Sequence, residues 1–160
     1  MTAPLRHYKS FKKENNMKNL FKTSGVLWII WGVVHVFFGA FTVYLVLNND
    51  PSGVVAGIAN GVSPELLKMD YPEASNALFG QHGWNLVWFG IVTLIAGFYV
   101  WKGNKNAIFI AAMVGGLADL GYFMFMDLGG YVTFFPGTLM TIIALAAILT
   151  SFYAHFKLRV

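Results

Sequence analysis

The sequence predicts an all-α polytopic membrane protein, a four-transmembrane-helix bundle, and three observations carry that prediction. Of its 160 residues, 57% are hydrophobic and 11% charged, with a mean hydropathy of +0.60, too apolar and too poor in charge for a soluble domain. Four apolar runs long enough to cross a bilayer follow one another at about residues 25–47, 77–101, 107–126 and 135–156. The basic residues are segregated: all but Lys68 lie in the amino-terminal arm, the 102–105 turn and the carboxyl tail, which share one side of a four-span chain. The chain has no cysteine, which excludes disulfides, thiolate catalysis, iron–sulfur ligation and covalent haem attachment.

In order, residues 1–24 form a basic arm carrying Arg6, Lys9, Lys12, Lys13, Lys18 and Lys22 against Glu14. A charge run beside an apolar segment holds the cytoplasmic side of a membrane, so nucleic acid is not expected as a partner. Met17 is a second candidate start, which would leave the first sixteen residues dispensable. The membrane domain is 25–156. Its first span, Gly25 to Leu47, is a retained helix, since a signal peptide has a shorter apolar core and a small-residue cleavage site. At 100° per residue Trp28, Gly32, His35, Gly39 and Thr42 share a face, which points His35 into the bundle.

Residues 48–76 form an outer loop in which Ser63-Pro64-Glu65 reads as a helix start, with Ser63 the cap. The loop is expected to be a connector packed on the helix ends, with a lid over a site as the alternative. In the second span Gly83, Gly90 and Gly97 repeat every seven residues, a small-residue seam for a neighbouring helix. Near its beginning lie Gln81, His82 and Asn85, too polar to face lipid. The third span carries Asp119 and Tyr122 on one face, and Asp127 marks its exit. The fourth holds Thr138 and Thr141, and residues 157–160 form the tail. With both termini cytoplasmic, Trp28, Trp31, Trp101 and Tyr153 fall toward the inner interface.

That topology predicts convergence. At 1.5 Å per residue from the inner end, His35 lies at roughly 15 Å, Asp119 at roughly 18 Å and His82 at roughly 17–23 Å. Three helices carry their most polar residues to nearly one level. An intramembrane carboxylate beside imidazoles is a functional-site hypothesis. The expected site binds a lipophilic small molecule, with His35, Gln81, His82, Asn85, Asp119 and Tyr122 as ligand-binding groups and Trp84, Trp88, Phe123 and Met126 as walls. His35, His82 and Asp119 are the candidate catalytic residues for proton-transfer or isomerase-type chemistry. The substrate, any cofactor and whether the protein is an enzyme stay open.

Two alternatives stand beside this reading. The polar cluster could serve only to fix helix packing in a structural or accessory subunit, as a homo-oligomer or with a membrane partner. His35, His82 and Asp119 could also hold a metal, or the two histidines a haem b, although no compact ligand motif is present. His155 and His7 are expected to be solvated. No phosphate-binding loop, dinucleotide fingerprint or nucleophile elbow occurs.

At WIIWGVVHVFFG, QHGWNLVWFG and GLADLGYFMFMDLGGYV, from about Met17 to the carboxyl end, the chain resembles small four-span bacterial inner-membrane proteins. The resemblance implies a multi-pass protein of the bacterial inner (cytoplasmic) membrane and carries no activity. In span number the chain is similar to DoxX-like and sterol-isomerase-like (EXPERA) proteins, whose motifs it does not match residue by residue, so architecture transfers neither activity.

Overall fold

The computed structural model describes the backbone of residues 3–157 and side chains from residue 15 onward. Arg6, His7, Lys9, Lys12, Lys13, Glu14 and Arg159 lie outside the described side chains. The described chain is all-α, a bundle with four helices long and apolar enough to cross a membrane: Asn15–Leu47, Glu73–Trp101, Lys105–Asp127 and Phe134–Lys157.

Helix α1 (Ala3–Leu47) runs unbroken through the boundary expected at residue 25. The reason is packing. Met17 and Phe21 are buried in one cluster with Trp28, Ile108, Ala147 and Ala154, and the buried Ser24 hydroxyl donates to the Phe21 carbonyl at 3.2 Å. The basic end of the bundle therefore holds the buried hydrophobic cluster. Trp28, expected at the interface, is fully buried there and donates its indole N–H to Ser151 Oγ at 3.2 Å.

The 48–76 connection is structured. Asp50 caps α2 (Pro51–Ile58), accepting from the Gly53 N–H at 2.8 Å. Short α3 (Pro64–Leu67) begins where the Ser-Pro-Glu signal places it, but the Ser63 hydroxyl donates to the Glu65 carboxylate instead of capping the backbone. That bond holds the exposed Glu65 below the usual carboxylate range. The connection is also tied to the turn between the third and fourth spans. Gly61 N–H donates to the Tyr131 carbonyl at 2.9 Å, and Thr133 N–H to Asn60 Oδ1 at 2.8 Å.

Helix α4 (Glu73–Trp101) lies along α1, and the glycine seam is the contact. A Cβ added to Gly32 would stand 2.7 Å from the Gly90 carbonyl oxygen, and one on Gly39 2.7 Å from that of Gly83. Backbone meets backbone at both points. In lipid such close dispersion contact, more than apolar burial, holds helices together.

The third span is α5 (Lys105–Ala111), a π-helical turn (Ala112–Gly116), α6 (Leu117–Tyr122) and a second π turn (Phe123–Asp127). Asn104 caps it, its Oδ1 accepting from Asn106 N–H at 2.9 Å and Ala107 N–H at 3.3 Å. Each wide turn shifts the helical register, and α6, which carries Asp119, is clasped between two of them. The fourth span opens with a kinked segment (Phe134–Thr138), in which Phe135 is extended at φ −113° and ψ 129°, and continues as α7 (Leu139–Lys157). Asp127 joins these two spans, accepting from the Thr138 hydroxyl at 2.6 Å and the Thr141 hydroxyl at 2.8 Å.

Candidate functional site: an intramembrane cavity

The end under residues 48–76 holds a cavity of about 590 Å³, a volume typical of small-molecule sites, which run from about 300 to 1,000 Å³. Each element reaches it with one stripe. From α1 come Val34, His35, Phe38, Phe41, Thr42 and Leu45; from α4 come Phe79, His82, Asn85, Leu86 and Phe89, both at helical spacing. Ala118, Asp119, Gly121, Tyr122 and Met126 supply the third wall, and Pro136, Gly137 and Met140 the fourth. Val54, Gly57 and Ile58 of α2, with Asn60, close the top, so the outer connection is part of the cavity wall. From Val34 to Leu45 the cavity follows α1 for roughly 16 Å.

At its deep end the central residue is Trp31, which is fully buried. Its indole N–H donates to Asp119 Oδ1 at 2.9 Å. Its ring stacks on the His35 imidazole, centroids 3.5 Å apart and planes 17° from parallel. Its carbonyl lies 2.8 Å from His35 Nδ1. A carbonyl can only accept, so Nδ1 carries the proton, and Nε2 is the open nitrogen of the ring. One tryptophan thus orients both the imidazole and the carboxyl. Asp119 is 3% exposed and lines the cavity beside His35.

Five of the six expected ligand-binding residues line this one cavity: His35, His82, Asn85, Asp119 and Tyr122. Gln81 does not. It is exposed on α4, roughly 100° around the helix from the centre of the cavity stripe. Trp84, 62% exposed, Trp88 and Phe123 also lie off the cavity, and of the expected walls only Met126 is one. Trp88 instead donates to Asn85 Oδ1 at 3.1 Å. The aromatic walls are Phe38, Phe41, Phe79 and Phe89, whose helical positions match the polar stripe. Trp31, expected at the interface, is the site residue that the sequence does not reveal; its four-residue spacing to His35 is the one signal that could have found it. Thr138 and Thr141 are spent on Asp127. Tyr122 leans over Gly137, where an added Cβ would meet its hydroxyl at 2.9 Å.

His155, expected to be solvated, is 4% exposed at the far end of the bundle, edge-on to Phe109 and Phe156 with centroids 5.3 Å away in each case. The last turn of α7 packs against the third span there, which takes His155 out of water. Among the described residues no group of three or more His, Asp or Glu side chains is placed to hold a metal ion. His35, His82 and Asp119 share a cavity without forming such a group. Compared with protein-family models, curated proteins and solved structures, the chain matches none.

Proposed function

We propose that the protein binds a lipophilic small molecule in this intramembrane cavity. The observation that carries the reading is the gathering of His35, His82, Asn85, Asp119 and Tyr122 from three spans onto one largely apolar cavity, while the buried hydrophobic cluster lies at the other end of the bundle. A cluster serving only to fix helix register would bond to itself. Here His35 and Asp119 bond to Trp31 and not to each other, and both present a face to open volume. The same two groups suit proton transfer on a bound substrate, with His35 Nε2 as base and the Asp119 carboxyl as partner. In this reading the protein is a multi-pass protein of the bacterial inner membrane with both termini cytoplasmic, supported by the grouping of Lys and Arg at one end.

Ala118 and Met140 line the cavity from the third and fourth spans. Larger rings there, Ala118→Phe and Met140→Trp, take up part of its volume. The test is native mass spectrometry with an absorption spectrum on protein extracted gently from its own membrane. The expected result is a compound carried by the wild type and lost from Ala118→Phe and Met140→Trp. A compound retained by both variants, or none in any sample, would reject the proposal.

A further inference from the structure

The charges around the cavity narrow the class of ligand. No lysine or arginine is among the residues that line it. Asp119 receives a neutral indole N–H, and the Nδ1–H of His35 is committed to a backbone carbonyl. Eight residues on, Asp127 adds a second carboxyl, and its hydroxyl donors Thr138 and Thr141 are also neutral. A carboxylate in a low-dielectric interior is costly without a positive partner, so the site takes up either a proton or a cation. The walls suit the cation. Phe38, Phe41, Phe79, Phe89 and Tyr122 surround the volume, and aromatic faces attract a desolvated cation through their quadrupoles. The connection above the cavity is acidic as well, with Asp50, Glu65, Asp70 and Glu73 against Lys68 alone, which raises the local concentration of cations at that end.

We infer that the ligand is a lipophilic cation, an apolar body bearing an ammonium-type charge that pairs with Asp119 between aromatic walls. The inference rests on the reading of the cavity as a ligand site and names the class of ligand. A proton and the ligand compete for one carboxylate, so binding weakens as pH falls. His35 and His82 from α1 and α4, and Tyr122 from the third span, face the same volume, and Asp127 lies near it, bonded to Thr138 and Thr141. Protonation of either imidazole would weaken binding in the same direction, so Asp119 is isolated by substitution.

The experiment measures equilibrium binding to the full chain in lipid nanodiscs with three probes of similar shape: tetraphenylphosphonium, the anion tetraphenylborate and neutral triphenylphosphine oxide. The expected result is saturable binding of the phosphonium alone, weakened by about tenfold or more in Asp119→Asn and by a few-fold in Phe89→Leu, which keeps the charge and removes a ring. Asparagine still accepts from Trp31, and the phenylalanine variant keeps the test decisive if Asp119→Asn fails to fold. Equal binding of the phosphonium and the neutral oxide, or phosphonium binding unchanged in both variants, would overturn the cation while leaving the cavity a lipophile site. If no probe binds and the membrane-extracted protein carries no compound, the cation and the binding function fall together.

Discussion

At the scale of the residue, the site depends on how Trp31 serves two neighbours at once. Its indole N–H holds Asp119, and its carbonyl and ring face hold His35. Replacing it with phenylalanine keeps a ring for stacking and the backbone carbonyl, and removes only the donor. A buried carboxyl oxygen left without its bond costs about 1–3 kcal/mol, so Trp31→Phe is expected to lower the thermal midpoint and loosen the carboxyl. Asp119→Asn alone is expected to cost less, because the amide oxygen still accepts. In a double-mutant cycle the two changes should depart from additivity by about 0.5 kcal/mol or more; strict additivity would show that the bond does no work. The polar members of the site were legible in the sequence because intramembrane His, Asn and Asp stand out against an apolar background. Trp31 was not, since a tryptophan seven residues beyond the basic arm reads equally well as an interfacial anchor.

At the scale of the element, the seam between α1 and α4 sets the geometry of the cavity, since His35 and His82 lie on helices held at backbone contact. A side chain at Gly90 would meet the Gly32 carbonyl oxygen and the Val36 amide nitrogen, both at 2.7 Å, and neither can rotate away. Gly90→Val is therefore expected to destabilise the bundle by at least the 1–3 kcal/mol typical of overpacking, read as a lower thermal midpoint in detergent. Gly57→Ala is its control: the position is helical and open, so the added methyl should be neutral or stabilising by up to about 1 kcal/mol. Equal behaviour of the two variants would contradict the seam. The heptad of glycines announced this contact, as the four apolar runs announced the spans. Less was legible where periodicity fails. The π turns that clasp α6 carry no pattern of their own, and α2 and α3 are short helices held in place by long-range bonds from Asn60 and Gly61 to the 131–133 turn. Gln81 and Trp84 show a related limit: polarity or bulk near the site does not give orientation toward it, and the helix angle points both outward.

At the scale of the whole molecule, the buried hydrophobic cluster lies at the basic end of the bundle and the polar-lined cavity at the other, which gives it a direction. Because the chain has no cysteine, single substitutions report that direction cleanly. In intact cells Lys68→Cys is expected to react with a membrane-impermeant maleimide and Lys105→Cys only after permeabilisation; the reverse pattern would invert the proposed topology and open the cavity toward the cytoplasm. The account as a whole turns on whether the hollow end holds a ligand. The most direct measurement is a crystal structure of protein extracted with its native lipids and never exposed to harsh detergent. The account predicts non-protein density between Phe38 and Phe89, with a polar or charged group within hydrogen-bonding distance of Asp119 or of His35 Nε2. Collapse of the aromatic side chains into the volume, with His35 and Asp119 bonded directly to each other, would make the polar cluster a packing device and contradict the account.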